Sequence, residues 1–348
     1  MSMDFAAELL SWYRKNKRNL PWRGIRDPYK VWLSEIILQQ TRVDQGMAYY
    51  HAFTEKYPTV KDLARASEDE VLKTWEGLGY YSRARNLHFT AKKIVNELGG
   101  KFPDTHAGLL QLKGVGDYTA SAISSICFDE AQPVVDGNVY RFLSRYFGIK
   151  TPIDSTKGKK EFRAVAEELI TKKHPGEFNQ AMMEFGARQC KPANPDCEVC
   201  VFRMSCVALK KKLVTQLPVK EKKTKVTDRY FYYLVLKNGG NTFIHQRKGK
   251  GIWQGLFEFP LLEWKEEGGV PKLAEWKKVI GNVPLKAVDV SKEHIHILSH
   301  QKLHIRFVIA ETKGKVALKN YTRVAIEDLE KYAFPIILKK NIPHLFNA

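Results

Sequence analysis

The stretch Cys190-Lys191-Pro192-Ala193-Asn194-Pro195-Asp196-Cys197-Glu198-Val199-Cys200-Val201-Phe202-Arg203-Met204-Ser205-Cys206 gathers four of the chain's 5 cysteines in a C-x6-C-x2-C-x5-C spacing. Four thiolates so close in sequence can surround one tetrahedral or cuboidal centre without closing a long loop. A disulfide scaffold would spread its cysteines along the chain, so this is a metal-site pattern from a reducing compartment. The thiolate set alone leaves zinc and a 4Fe–4S cluster equally open. Cys127 stands apart in an apolar stretch.

On the N-terminal side of this loop the apolar spacing is helical. Phe5, Leu9, Trp12 and Tyr13 fit one helical face, and Val31 to Leu38 continues the pattern after Asp27-Pro28. Ser67 followed by Glu70 predicts a capping box ahead of Leu72 and Trp75. Leu109 to Leu112 ends a helix, Gly114-Val115-Gly116 turns the chain, and Asp117 to Cys127 begins another. Glycines let backbone N–H groups approach a phosphate, and the second helix offers its positive dipole end there. Residues 1–209 are therefore expected as an all-α domain that includes the cysteine loop at 190–206.

Past Lys210 the character changes. Residues 210–228 hold Lys210, Lys211, Lys212, Lys220, Lys222, Lys223 and Lys225 with Pro218 and no sustained period, which predicts a basic linker. Phe231 to Leu236, turned back at Asn238-Gly239-Gly240-Asn241 into Thr242 to His245, predicts a hairpin. Leu303, Ile305, Phe307 and Ile309 alternate with polar neighbours as a strand does. Residues 229–348 are expected as an α+β domain.

With 348 residues, of which 44% are hydrophobic, the chain suits two packed domains. Lys plus Arg number 57 against 38 Asp plus Glu, a net charge of +19 that points to a polyanionic partner, nucleic acid first. Asp4 and Glu8 interrupt the first apolar stretch, unlike a signal peptide, and no run reaches the length of a membrane span. A cytoplasmic, nucleoid-associated protein is expected.

Two carboxyl groups are candidates for chemistry, because a pair in different surroundings can divide the roles of protonated acid and charged stabiliser. Glu35, in the apolar run Val31-Trp32-Leu33-Ser34-Glu35-Ile36-Ile37-Leu38, is expected to be partly buried and so to hold its proton. Asp136 ends the extended Pro133-Val134-Val135 run just before a helix, where it can cap the helix and be kept ionised by the dipole.

The cysteine spacing and the Gly114–Gly116 turn resemble the helix-hairpin-helix DNA glycosylases related to endonuclease III, in which such a loop holds a 4Fe–4S cluster. That family usually places Pro before the first glycine, where this chain has Lys113. Its bifunctional members carry a Schiff-base lysine at the position of Tyr118, so the resemblance implies a monofunctional enzyme. The segments Leu33-Ser34-Glu35 to Leu38-Gln39-Gln40-Thr41 and Val135-Asp136-Gly137-Asn138-Val139 are similar to the MutY-type adenine DNA glycosylases. On that resemblance Glu35 protonates N7 of adenine, Asp136 stabilises or transiently bonds to the sugar cation, and a water completes hydrolysis, with Tyr118 and Asn138 orienting Asp136 and the sugar. Gln40 and Tyr80 match the wedge positions that fill the stack once a base is swung out. Asn19-Leu20-Pro21-Trp22-Arg23 matches a motif near the base pocket, which implies pocket roles for Arg18, Trp22 and Arg23.

Gly251-Ile252-Trp253-Gln254-Gly255-Leu256-Phe257-Glu258-Phe259-Pro260 resembles the entry to a Nudix domain. The Arg-Glu…Glu-Glu cluster of a working Nudix hydrolase is missing after it, so the expected role is binding. Leu298-Ser299-His300 stands where the family has Phe-Ser-His, which implies recognition of 8-oxoguanine. The implied partner is duplex DNA with A:8-oxoguanine or A:G mispairs, bound by a monomer and with no membrane involved. Two other classes compete. A bifunctional glycosylase/lyase would need lysine at Tyr118, and a noncatalytic DNA-binding or redox-sensing iron–sulfur protein would not need both Glu35 and Asp136.

Overall fold

The computed structural model describes residues 4–221, 225–314 and 316–346. They fall into two compact units, Met1–Arg65 with Asn86–Lys222 and Ala66–Arg85 with Lys223–Ala348. The helices in chain order are α1 (Phe5–Asn16), α2 (Pro28–Leu38), α3 (Val43–Lys56), α4 (Val60–Arg65), α5 (Glu68–Thr74), α6 (Ser82–Glu97), α7 (His106–Leu109), α8 (Asp117–Phe128), α9 (Gly137–Phe147), α10 (Thr156–Leu169), α11 (Pro175–Arg188) and α12 (Val207–Lys210). No helix among the described residues is long and apolar enough to cross a membrane.

The first unit is helical, as the 3.6-residue period requires. Asp4 caps α1 by accepting from Ala6 N and Ala7 N, and Asp27 caps α2 with Pro28 in the first turn. Leu9, Trp12 and Tyr13 of α1 pack against Phe142 and Leu143 of α9 and Phe178 and Phe185 of α11. Phe202, from inside the cysteine loop, enters the same core and ties that loop to the helices. α2 packs on α8, which brings the helix of Glu35 against the helix of Tyr118. The first half of the stretch expected as a linker belongs to this unit: Leu217 is buried, and Ile153 N donates to Val219 O at 3.0 Å. Apolar Leu213 and Leu217 account for this, since they gain by leaving water despite the surrounding lysines. Lys222 and Lys223 of that stretch lie outside the described residues.

The second unit contains a sheet ordered β4-β1-β7-β5, with β6 also on β7, and a second sheet ordered β3-β2-β8. The strands are β1 (Thr227–Lys237), β2 (Asn241–Gln246), β3 (Phe257–Glu258), β4 (Leu261–Trp264), β5 (Lys286–Val290), β6 (His294–Ile297), β7 (Gln301–Glu311) and β8 (Thr322–Ala325). Phe231 to Leu236 are all buried, as a central strand covered on both faces must be, and β1 runs parallel to β7. The turn at Asn238–Asn241 forms as expected, with Gly239 and Gly240 at positive φ. Its strands do not continue as a hairpin, however. β1 pairs with β4 and β7, and β2 crosses to the other sheet.

The capping box is present: Ser67 N donates to Glu70 Oε2 at 2.8 Å, and Glu70 N to Ser67 Oγ at 3.2 Å. The helix it starts, α5, groups with the C-terminal residues and not with the helices that flank it in sequence. Glu76 is the anchor. Its buried carboxylate accepts from Phe334 N at 2.8 Å and Lys73 Nζ at 2.9 Å and is paired with Lys339 of the last helix, α14 (Ile336–Phe346), which follows a single-turn helix, α13 (Lys277–Ile280). Arg85 adds a bond of 2.5 Å to Gln254 O.

Candidate active site

Glu35 lies on the buried side of α2 and is only 8% exposed. α8 meets that face and supplies Tyr118, whose hydroxyl donates to Glu35 Oε2 at 2.7 Å and lies 3.4 Å from Met183 Sδ of α11. Burial pushes the Glu35 carboxyl up from the ordinary range, and the negative charge of Asp136 pushes the same way. The Tyr118 hydroxyl and the Arg23 guanidinium pull it down, and burial prevails. A carboxyl so placed holds its proton more tightly than one in water, as an acid needs.

Asp136 is the N-cap of α9. Its Oδ1 accepts from Asn138 N at 2.9 Å and Val139 N at 2.8 Å, and its Oδ2 from Asn138 Nδ2 at 2.7 Å. Asn138 is fixed in turn by Arg141 Nη2, 2.9 Å from its Oδ1. The close approach of α11 completes this corner: a Cβ on Gly186 would stand 2.5 Å from Asn138 O, so only glycine fits there. Two sequence expectations change. Tyr118 is bonded to Glu35 and not to Asp136, because its position on α8 faces α2. The Asp136 carboxyl is not held low by its cap, since burial moves it upward more than its hydrogen bonds and Arg141 move it down.

Linked to Glu35 through Arg23 is a group that sequence reasoning missed. Glu184 of α11 is fully buried and accepts from Arg18 Nε at 2.7 Å, Arg18 Nη2 at 2.8 Å, Arg18 N at 3.1 Å and Arg23 Nη2 at 3.3 Å. Arg18 and Arg23, expected together near the pocket, therefore do converge. Trp22 is buried edge-on against Tyr50 with ring centroids 5.1 Å apart. The signal for Glu184 was available in its setting, Met182-Met183-Glu184-Phe185, an acid in an apolar helix like Glu35.

The hairpin has the form expected of it. Gly114 sits at φ +80°, Gly116 caps α8 with no side chain on the helix N–H groups, and both glycines are exposed. Lys113 stands 4.3 Å over the Phe89 ring, beside those open donors. Gln40 and Tyr80, the two wedge candidates, both adopt left-handed backbone at φ 57° and 49°. Such strain costs about 1–3 kcal/mol for a residue other than glycine and collects at functional positions. Tyr80 is 46% exposed, and in the second unit its hydroxyl is hydrogen-bonded to Ser299. Leu298, Ser299 and His300 form the tight turn between β6 and β7, closed by Leu298 N donating to Gln301 O at 2.8 Å. Leu298, Ser299, His300 and Tyr80 line one pocket together with Gly77 and Trp253.

Cys190, Cys197, Cys200 and Cys206 line a single cavity with Phe142, Phe185 and Phe202. Among the described residues no three Cys, His, Asp or Glu side chains converge as the ligands of one metal ion would. Four cysteines around one cavity are a donor set that either zinc or a 4Fe–4S cluster accepts. Arg145 frames it, donating to Cys190 Sγ at 3.5 Å, Lys191 O at 2.7 Å and Pro192 O at 3.0 Å, and its charge suits an anionic thiolate centre. Burial pushes the Cys200 thiol up to about 11, so a bound cation would have to displace its proton.

The chain matches the family model of the HhH-GPD superfamily base excision DNA repair proteins over residues 33–172 and that of the NUDIX domain over residues 231–344. It is 35% identical to the adenine DNA glycosylase of Buchnera aphidicola subsp. Schizaphis graminum over 308 residues, 86% of each chain. Identity to the adenine DNA glycosylase of Homo sapiens is also 35%, over 356 residues that cover 86% of this chain and 65% of the human one. A solved thermostable thymine-DNA glycosylase superposes with a TM-score of 0.55 at 31% identity, covering 60% of this chain and 95% of the other.

Proposed function

This chain belongs to the adenine DNA glycosylase family of the HhH-GPD base excision repair superfamily, and from that premise we propose that it excises adenine opposite 8-oxoguanine or guanine with Glu35 as acid and Asp136 as counter-charge. The observation that carries this reading is the pair of buried carboxyl groups, one bonded to Tyr118 at 2.7 Å and the other capping α9, close enough for Asp136 to favour the protonated form of Glu35.

In the proposed sequence adenine leaves the stack and Glu35 delivers its proton to the leaving base as the glycosidic bond breaks. Tyr118 then donates to the carboxylate that forms. Asp136, held by Asn138, faces the sugar as its positive charge develops, and a water completes hydrolysis. No amine stands at position 118 to form a Schiff base, so the reaction stops at the base-free sugar. Gln40 and Tyr80 fill the vacated stack, and the turn Leu298-Ser299-His300 reads the 8-oxoguanine. The Tyr80–Ser299 hydrogen bond supports that last assignment, because it joins a wedge residue to the lesion-reading turn. Cys190, Cys197, Cys200 and Cys206 would hold a 4Fe–4S cluster, which supplies a structural cross-link and a charged surface for positioning DNA. The enzyme acts as a monomer on nucleoid DNA.

The test is incubation with an A:8-oxoguanine duplex followed by alkali. Strand breakage only after alkali is the expected result; breakage without alkali makes the protein a lyase, and no breakage makes it a binder. Purified protein should be brown with a visible absorption band, whereas a colourless zinc form would overturn the cluster assignment.

A further inference from the structure

Glu184 has no part in the reaction just described, yet it is a fully buried carboxylate that ties together two arginines from the segment following α1. Burying a charge is costly unless it is paired, and Glu184 is paired twice, with the partly exposed Arg18 and the mostly buried Arg23. Arg23 is also incompletely used. One Nη donates to Glu184 at 3.3 Å, its guanidinium stands 5.8 Å from the Tyr13 ring centre, and its Nε is buried with no hydrogen-bond partner. Glu184 is the only carboxylate among the described residues with a salt bridge to Arg23.

We propose that Glu184 is a positioning residue for adenine excision: it clamps Arg23 at a fixed place beside Glu35 and offsets its charge, so that Glu35 can remain protonated. The proposal rests on Glu35 being the acid. The groups that act on Glu35 are Tyr118 and Cys127 from α8, Asp136 from the start of α9 and Arg23 from the segment before α2. Arg23 is the only cation in this set, and it favours the ionised form of Glu35. Removing the Glu184 charge strengthens that pull, whereas removing the Arg23 charge abolishes it.

The experiment is the pH dependence of single-turnover excision on an A:8-oxoguanine duplex with enzyme in excess. The active form carries protonated Glu35, so the rate falls as pH rises through its pKa. Glu184→Gln should move this alkaline limb lower, by up to about one pH unit, because Arg23 loses the carboxylate that offsets its charge. Arg23→Gln should move it higher, and the double variant should return it close to wild type. Glu184→Asp, which keeps the charge, should leave the limb where it is even if the rate falls. A purely structural role would scale the rate at every pH without moving the limb, and that result in Glu184→Gln overturns the proposal. If Glu184→Gln does not fold, Arg23→Gln decides, because an unmoved limb there also overturns it. Glu35→Gln separates the two levels. Retained excision in that variant removes Glu35 as the acid, whereas its loss together with unmoved limbs in the others removes only the role of Glu184.

Discussion

Replacing Tyr118 by phenylalanine removes one oxygen from the site and leaves the ring on α8 in place. The lost contact is the 2.7 Å bond from the hydroxyl to Glu35 Oε2. Before the reaction this bond joins two neutral groups, worth about 0.5–1.5 kcal/mol; once Glu35 has given up its proton the acceptor is charged and the bond is worth about 1.5–3 kcal/mol. Only the difference, about 1–1.5 kcal/mol, lowers the barrier, because only strengthening along the reaction counts. Tyr118→Phe should therefore slow excision roughly 5- to 12-fold on the pH plateau. The same free energy fixes the sign of the pH effect. Tyr118 now pulls the Glu35 pKa down. Its loss raises that pKa further, and the alkaline limb should move up by about one unit. Single-turnover excision measured across pH reads both numbers from one data set. An unchanged plateau, or a limb that moves to lower pH, would refute the idea that Tyr118 stabilises the conjugate base of the acid.

Other substitutions test the surrounding architecture. Asp136→Asn should lose excision yet keep stability within about 0.5 kcal/mol, because asparagine caps a helix as well as aspartate; Asp136→Ala should cost about 1 kcal/mol more in urea denaturation. Excision that survives in the Asn variant would show that no negative charge is needed there. Gly186→Ala should destabilise the first unit by about 1–3 kcal/mol, since its Cβ would meet Asn138 O at 2.5 Å, and an unchanged melting temperature would mean that α9 and α11 separate easily. Ser299→Ala should reduce the preference for 8-oxoguanine over guanine opposite adenine by roughly fivefold, the worth of about 1 kcal/mol of hydrogen bonding. A ratio of rates that does not change would detach the 298–300 turn from lesion reading.

The parts of this protein that could be read in the sequence are those whose information is local. The cysteine spacing, the Gly114–Gly116 turn, the capping box at Ser67 and the run of apolar residues around Glu35 each declare themselves within 17 positions or fewer. Pairing partners do not. The turn after β1 was legible because Asn-Gly-Gly-Asn fixes backbone angles, but the choice of β4 and β7 as its neighbours depends on strands far along the chain. The same limit hid the clamp on Arg18 and Arg23, whose carboxylate lies 166 positions from Arg18. It also hid the partner of Tyr118, since a helix pattern tells which face is buried and not which helix it meets. The upward shift of Asp136 was misjudged for a related reason. The cap and dipole were visible in sequence, whereas the depth of burial that outweighs them comes only from packing.

The anchoring of Glu76 also governs the order in which the molecule can be assembled. Its backbone donor at Phe334 lies 258 positions downstream. At translation rates of about 5–20 residues per second, roughly 10 to 50 s pass between synthesis of the two. Throughout that interval the strand of chain carrying Tyr80 has been made but has nothing to close upon. The nascent protein can therefore complete its Glu35–Tyr118 centre long before the neighbourhood of Tyr80, and a chain ended before Phe334 would have that centre in place and this segment without its Glu76 anchor.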